Sequence, residues 1–175
     1  MPAKKQYIGN EAKVYQRSNE KPDKKYSILP TVLALAGDLD GKVVLDLGCG
    51  DGFFTRPLAL GGAARVIGID NAPEQLMLVR EYTNPENISF VEGDIFNGTL
   101  PKNDATVAPF MGNDAESLKE LQTFFSRVSD SLSDDGLFVL VMDMPSGRDL
   151  KRFGAIKVTS SYEDGAPMIT TLYDE

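Results

Sequence analysis

The chain has 175 residues, of which 18 are basic and 26 are acidic, so its formal net charge is −8. This length predicts one domain with a real core, and a composition of 42% hydrophobic and 25% charged residues excludes a wholly disordered chain. The sequence has no histidine, which excludes a Ser-His-Asp or Cys-His relay, an HExxH zinc site and a histidine general base.

The N-terminal segment is basic, whereas the rest of the chain is acidic. Residues 1–25 contain seven Lys or Arg against three acidic residues, a local charge of +4, so the remaining 150 residues carry −12. Seven scattered charges with interleaved tyrosines do not form a polybasic block. We interpret residues 1–26 as a basic arm or lid rather than a nucleic-acid tail, and residues 27–175 as the single main domain.

Strands and helices alternate along the chain after this arm. Segments with helical signals lie at residues 27–37, 53–60, 74–82 and 115–132. Short apolar runs bounded by turn residues predict buried strands at residues 42–47, 65–70, 88–92, 105–110 and 137–142. The alternation predicts an α/β fold with a doubly wound sheet and right-handed crossovers. Residues 156–161 and 168–173 flank a Glu-Asp-Gly turn and predict a hairpin.

Two of the predicted helices have recognisable N-terminal signals. Ser27 is the predicted N-cap of the first helix, Pro30 falls in its first turn, and Gly37 ends it. Asn113 and Asp114 are predicted to cap the helix that begins at residue 115.

Chemistry-bearing residues gather where the predicted strands end, which is the ligand edge of an open α/β sheet. The first strand runs into residues 46–52, a glycine-rich turn that lets the backbone approach a ligand closely. Asp70 ends the second strand, where its carboxylate can accept hydrogen bonds from both hydroxyls of a ribose. Asp94 and Ile95 follow the third strand, where an adenine could be recognised by its amino group and ring nitrogen. Phe110 ends the fourth strand.

The glycine spacing separates two kinds of nucleotide site. A dinucleotide site needs G-x-G-x-x-G, and this chain has Phe53 at the third glycine position. Asp46, just before the turn, would repel a pyrophosphate but suits the ammonium group of an amino acid. The pattern therefore favours S-adenosylmethionine, which has an amino-acid tail and a cationic sulfonium, over NAD. A P-loop is excluded because no Gly-Lys-Ser/Thr follows.

Several motifs together resemble a known family. Val44-Leu-Asp-Leu-Gly-Cys-Gly-Asp-Gly52 is similar to the first signature motif of the class I S-adenosylmethionine-dependent methyltransferases. Gly68-Ile-Asp70, Gly93-Asp94 and residues 127–142 fall where that family has its later motifs. The resemblance covers roughly residues 7–173 and implies a mostly parallel, Rossmann-like sheet. It also implies S-adenosylmethionine as the cofactor and S-adenosylhomocysteine as the product.

A narrower resemblance concerns two short segments. Tyr15-Gln-Arg-Ser18 and Gly61-Gly-Ala-Ala-Arg-Val66 look like the small-molecule branch of the family that includes toxoflavin synthase-like enzymes. This branch implies a small-molecule substrate.

The family resemblance also implies which residues hold the cofactor. Asp46 and the backbone of the glycine turn would face the methionine part, Asp70 the ribose and Asn71 the adenine, while Asp94 and Ile95 would clamp the adenine edge. Tyr15 and Tyr26 are the aromatic residues that would help to close the site. The predicted cofactor-binding set is Tyr15, Tyr26, Asp46, Gly48, Cys49, Gly50, Asp70, Asn71, Asp94, Ile95 and Phe110. No catalytic residue and no metal ligand is assigned.

Two features depart from the family pattern. The fourth strand lacks an Asn-Pro-Pro-Tyr-type motif, which disfavours a nucleic-acid amino group as the target. The chain ends at Glu175, where a full family member continues to a sixth strand, a helix and a final antiparallel strand, so a C-terminally shortened domain is expected. An unpaired edge strand would favour association, which makes a homodimer an option.

Composition also limits which partners and which cellular compartment we expect. Cys49 is the only cysteine, so no intramolecular disulfide forms and a reducing, cytoplasmic setting is expected. The sequence has no apolar stretch near the roughly 18 residues of a membrane span and no signal-peptide run at its start. With the acidic net charge, we expect neither a membrane nor a nucleic acid as partner.

Three functional hypotheses follow from these patterns. The first is methyl transfer from S-adenosylmethionine to a small-molecule acceptor by in-line displacement. The second is a non-catalytic, truncated module that binds S-adenosylmethionine, and the third is an NAD-dependent oxidoreductase, which the glycine spacing disfavours.

Overall fold

The computed structural model describes residues 16–142, 155–159 and 168–172. The strands are β1 (Val43–Leu47), β2 (Arg65–Asp70), β3 (Ile88–Glu92), β4 (Asn103–Pro109), β5 (Leu132–Val141), β6 (Ala155–Thr159) and β7 (Met168–Leu172). The α-helices are α1 (Leu29–Ala36), α2 (Thr55–Leu60), α3 (Pro73–Leu78) and α4 (Leu118–Ser131). A π-helix (Lys24–Ile28) precedes α1, and 3₁₀ turns lie at Val79–Glu81 and Met111–Asp114.

Strands β1 to β5 form one sheet in the order β3-β2-β1-β4-β5, and each neighbouring pair is parallel. The chain builds outward from β1 to β3 and then returns to the other side of β1 with β4. The order therefore reverses between β1 and β4, whose carboxyl ends flank the switch-point cleft where ligands bind in open α/β sheets. The predicted doubly wound α/β fold is confirmed.

The core lies in two layers because alternate residues of a strand face opposite sides of the sheet. On one face, Val44 packs in a buried cluster with Val32 of α1 and Leu58 of α2. On the other face, Leu45 belongs to a buried cluster that includes Phe124 of α4. This alternation places Asp46 on the same face as Val44.

The first helix begins earlier than predicted. The π-helix Lys24–Ile28 runs directly into α1, so Ser27 lies inside a continuous helical segment and the prediction that it is an N-cap is wrong. A residue can cap a helix only where its own backbone leaves the helical conformation. Gly37 ends α1 as predicted, with φ at +68°.

The N-cap of α4 is also not the predicted one. Ser117 has an extended backbone, and its side chain accepts the N–H of Glu120 at 3.1 Å. Asn113 and Asp114 instead form part of the preceding 3₁₀ turn, so their prediction as caps is wrong.

The antiparallel pairing of the predicted C-terminal hairpin is confirmed, and its predicted Glu-Asp-Gly turn lies outside the described residues. Strands β6 and β7 pair antiparallel and form a two-stranded sheet of their own. Within the described part of the chain, β5 is an edge strand of the larger sheet.

Two further observations concern the described residues as a set. No helix among them has the length and apolar character needed to cross a membrane. They also contain no group of three or more His, Cys, Asp or Glu side chains arranged to hold a metal ion.

Candidate functional site

The loop after β1 has a shape that requires glycine. Gly48, Gly50 and Gly52 have φ values of +73°, +54° and +84°, in the region that other residues rarely adopt. The N–H groups of Gly48 and Cys49 both donate to the Ile69 carbonyl, at 2.7 and 3.2 Å, and thereby fix the loop against β2. A side chain at Gly48 would also collide with the Met111 side chain, which lies directly over it.

Asp70, at the end of β2, holds the same loop through its carboxylate. Its Oδ2 accepts the N–H of Gly50 at 2.8 Å, and its Oδ1 accepts the N–H of Ala72 at 2.8 Å. Burial raises the pKa of Asp70, and backbone N–H donors, including that of Asn71, oppose the rise. An ionised carboxylate has about four acceptor positions, so Asp70 can still accept bonds from hydroxyl groups.

Asp46 is fully buried beneath the glycine loop, with 0% of its surface exposed. Its Oδ2 accepts the Thr55 hydroxyl at 2.6 Å, while its Oδ1 is buried with no hydrogen-bond partner. Burial raises the pKa of Asp46 to about 7; the Thr55 hydrogen bond lowers it, and the negative charges of Asp70 and Asp51 raise it. A buried acceptor without a donor is costly, so this oxygen fits a cationic or N–H-bearing ligand group.

Cys49 is a packed residue of the loop. It is 5% exposed, and burial first, then the charge of Asp46, raises the pKa of its thiol well above the ordinary value. A Cβ on Gly68 would lie only 2.9 Å from the Cys49 Sγ. The thiol is therefore protonated and closely packed, and it lacks the thiolate form that a nucleophilic cysteine needs.

Two of the three residues predicted to surround the adenine have structural roles in this molecule. The Asp94 Oδ1 accepts the N–H groups of Phe96 and Asn97, at 2.8 and 3.1 Å, and shapes the turn after β3. Ile95 is 4% exposed and belongs to a core cluster. Asn71 lies half-buried directly after Asp70. Binding of adenine by these three residues stays a prediction.

Phe110, directly after β4, has an unusual backbone. Its φ is +70°, and it is the one non-glycine residue with a positive φ in the described ranges. Its N–H donates to the Val141 carbonyl at 2.7 Å. The left-handed region is unfavourable for a bulky residue, and such conformations concentrate at functional sites. Because Phe110 directly follows β4, its half-buried side chain lies at the β4 side of the switch-point cleft.

The structure describes only one of the two tyrosines that are predicted to close the site. Tyr26 is 73% exposed. Tyr15 lies outside the described residues, as does the rest of the predicted arm up to that position.

Sequence reasoning missed two residues that contact the glycine loop region. Asn19 is 4% exposed, and its Nδ2 donates to the Asp51 Oδ1 at 3.1 Å. Thr55 is the hydrogen-bond partner of Asp46. Neither has a distinguishing sequence signal, because each acts through a contact that only the folded chain creates.

The glycine loop, the carboxylates around it and the switch-point topology agree with the comparison to known families. Residues 44–136, more than half of the chain, match the methyltransferase domain family, and the chain belongs to this family. More narrowly, its fold is that of the class I S-adenosylmethionine-dependent methyltransferases, as the motif resemblance implied. S-adenosylmethionine is the cofactor on which this family depends.

Individual relatives are methyltransferases whose names state different methyl acceptors. The chain is 37% identical over 75 residues to a sterol 24-C-methyltransferase of Eremothecium gossypii, covering 41% of this chain and 20% of that protein. It is 37% identical over 79 residues to protein arginine N-methyltransferase 1 of Dictyostelium discoideum, covering 42% and 23%. The matched stretch is thus less than a quarter of either relative's length.

The fold resembles solved structures over most of its length. The DhpI–SAM–HEP complex superposes with a TM-score of 0.66, covers 93% of this chain and 76% of that chain, and has 21% sequence identity. At this identity the likeness concerns the fold.

Proposed function

We propose that the chain binds S-adenosylmethionine in the switch-point cleft and transfers its methyl group to a small-molecule acceptor. The observation that carries the proposal is the Asp46 Oδ1, a fully buried carboxylate oxygen at the glycine loop that has no hydrogen-bond partner. Bound S-adenosylmethionine would supply an electrophilic methyl group on a cationic sulfonium. Its ammonium group gives Asp46 the donor that it lacks.

The charge around the loop supports a cationic ligand. Asp46, Asp51 and Asp70 all lie on or beside it, and burial raises the pKa of each carboxyl. A cationic ligand stabilises the ionised forms of these groups, whereas a pyrophosphate would be repelled by them. Family membership and this charge both disfavour the NAD-dependent alternative.

The residues of the loop would act by binding and orienting the cofactor. Asp70 is held by two backbone N–H groups and keeps acceptor positions for the ribose hydroxyls. In-line displacement needs little covalent work from the protein, and holding two reactants in place supplies up to about 7–11 kcal/mol. This chemistry suits a chain without histidine.

Two observations support a small-molecule acceptor: the net charge of the chain and the narrower resemblance of two of its segments. A net charge of −8 disfavours contact with nucleic-acid phosphates. The segments that resemble toxoflavin synthase-like enzymes favour a small acceptor. The relatives named above act, by their names, on a sterol and on protein arginine.

Methyl transfer from isotopically labelled S-adenosylmethionine to a panel of small amines, phenols and heterocycles tests the proposal. We expect label transfer with matching formation of S-adenosylhomocysteine. An Asp46→Asn variant should lose most of this turnover, and Asp135→Asn, at an exposed position of β5, should keep it. Binding without turnover on any acceptor would favour the non-catalytic module instead, and transfer only to a protein or RNA would contradict the small-molecule assignment.

We also propose a cellular compartment and an oligomeric state for this chain. The single cysteine of the sequence favours a reducing, cytoplasmic compartment. The outer edge of β5 has no strand partner among the described residues, and an open edge favours pairing with a second copy. Light scattering of the purified chain should then give the mass of a dimer, and a monomer at all concentrations would contradict this part.

A further inference from the structure

Residues 16–28, which we name the strap, lie against the glycine loop. Asn19 of the strap is 4% exposed, and its Nδ2 donates to the Asp51 Oδ1 at 3.1 Å. The same carboxylate oxygen accepts the N–H of Phe53 at 3.2 Å. The strap is thus hydrogen-bonded to a carboxylate that also shapes the turn after β1.

Lys24 connects the two halves of the strap and reaches the opposite side of the cleft. Its Nζ donates to the Ser18 Oγ at 2.9 Å and to the Asn19 Oδ1 at 3.2 Å. The same ammonium lies 5.3 Å from the centroid of the Phe110 ring, within the range of a cation–π contact.

A further contact is made by Gln16, the first residue of the strap. The Gln16 Nε2 donates to the Tyr82 hydroxyl at 2.9 Å, and the Arg56 guanidinium stacks 4.1 Å from the Tyr82 ring centroid. Arg56 also donates to the Asp51 carbonyl at 2.7 Å. The Asp51 carboxylate is therefore hydrogen-bonded to Asn19 of the strap, and the Asp51 carbonyl is hydrogen-bonded to Arg56 of α2.

These contacts place the strap across the cleft. Asp51 follows β1 and Phe110 follows β4, and these neighbouring strands flank the switch point. We propose that Asn19 and Lys24 are positioning residues that hold the strap closed over the bound ligand, so that release of the ligand requires both contacts to open. The identity of this ligand as S-adenosylmethionine rests on the proposed function.

The strap offers two adjacent pairs of residues for matched variants. Asn19→Ala removes the donor to Asp51, whereas Glu20→Ala changes an exposed neighbour whose partner is the exposed Lys25, at 2.9 Å. Lys24→Met removes the ammonium over Phe110 and keeps most of the side-chain length, whereas Lys25→Met removes only the exposed ion pair.

The first measurement is the dissociation rate of S-adenosylhomocysteine by stopped flow. A buried hydrogen bond to a charged group is strong, so Asn19→Ala should raise the rate about tenfold and Lys24→Met severalfold. The Glu20→Ala and Lys25→Met controls should stay within about twofold of wild type, as expected for an exposed ion pair. Equal rates in a test variant and its control would overturn the proposal.

A pH profile separates positioning from a general loss of structure. Asn19→Asp places a second carboxyl against Asp51, near which Arg56 and Lys24 are the charged side chains that lower its pKa. Two carboxyls at hydrogen-bond distance can share a proton at low pH. The dissociation rate of Asn19→Asp should therefore fall relative to Asn19→Ala between pH 8 and pH 5. A constant ratio of the two rates would contradict the proposed role of Asn19 in holding the strap closed.

Hydrogen–deuterium exchange of the ligand-free wild type and variants tests the strap contact without any ligand. Its result therefore does not depend on whether the proposed function is right. If the wild type binds no S-adenosylhomocysteine, the proposed ligand is wrong, but the strap contact is still measurable. Faster exchange over residues 16–28 in Asn19→Ala than in Glu20→Ala supports the proposal that Asn19 holds the strap closed. Equal exchange in the two variants overturns it.

Discussion

The Asp70 Oδ2 at the end of β2 accepts the N–H of Gly50 in the loop after β1, at 2.8 Å. This bond joins two strand ends and gives the glycine loop its shape. The Asp70 Oδ1 simultaneously accepts the N–H of Ala72, so the carboxylate is fixed on both sides. The loop is thus organised by the protein itself, which lowers the ordering cost of binding a ligand.

Substitution of Asp70 should weaken cofactor binding strongly. In Asp70→Asn one acceptor oxygen becomes an N–H donor, so a backbone bond to the loop is lost together with a ribose acceptor. We expect S-adenosylmethionine affinity to fall about 10- to 100-fold, as measured by calorimetric titration. Glu92→Gln is the control, because Glu92 is the exposed register partner of Asp70 on β3. Equal affinity of Asp70→Asn and the control would remove Asp70 from the site.

The stability of the ligand-free chain should fall as the pH rises through 7. Asp46 has a pKa of about 7 in the folded chain against 3.8 as the ordinary value, because burial disfavours its charge. The folded chain thus binds the proton more tightly, and this stability is complete below pH 4 and lost as the pH rises through 7. Between pH 5 and pH 8 the loss is about 3 kcal/mol. Chemical denaturation at several pH values should show this slope in wild type and a flatter one in Asp46→Asn.

Cofactor affinity should have the opposite pH dependence. An ammonium group pairs with the ionised form of Asp46, so below pH 7 its binding must displace the proton. The affinity should rise between pH 5 and pH 7, by at most about tenfold per pH unit. Titration of Asp46→Asn over the same range should give weaker binding with a smaller pH dependence. A pH-independent wild-type affinity would show that Asp46 does not pair with the ligand.

Two glycines with nearly the same φ allow the cost of a left-handed backbone to be measured apart from the cost of a steric clash. Gly41 and Gly48 have φ values of +71° and +73°, but only Gly48 lies against another side chain, that of Met111. Gly41→Ala should cost about 1 kcal/mol for the left-handed backbone alone. Gly48→Ala should cost about 1–3 kcal/mol more, and Met111→Ala in the same chain should recover part of that excess. Urea denaturation measures all three, and equal costs for the two glycines would contradict the close packing of Met111.

The sheet could be predicted from sequence more completely than the helix ends. Strand β2 is observed at Arg65–Asp70, as predicted, because a buried parallel strand forms a continuous apolar run bounded by turn residues. Ser27 has the right residue type for a cap, but the helical segment starts before it. Ser117 is the observed cap of α4, three residues from the Glu120 whose N–H it accepts.

The site was partly predictable for a similar reason. Asp46 and Asp70 lie near the carboxyl ends of β1 and β2, and Gly50 follows β1. Parallel strands bring their carboxyl ends to one edge, so topology alone places these residues together. Asn19 could not be predicted, because its contact with Asp51 joins residues 32 positions apart through an N-terminal segment without a strand pattern. Its burial is a property of the folded strap.

Calorimetric titration of the wild-type chain with S-adenosylmethionine and, separately, with NAD at pH 7.5 distinguishes an S-adenosylmethionine site from a dinucleotide site. We expect one S-adenosylmethionine site per chain, for which S-adenosylhomocysteine competes, and no binding of NAD. Binding of NAD, or the absence of S-adenosylmethionine binding by a folded wild-type chain, would contradict this expectation.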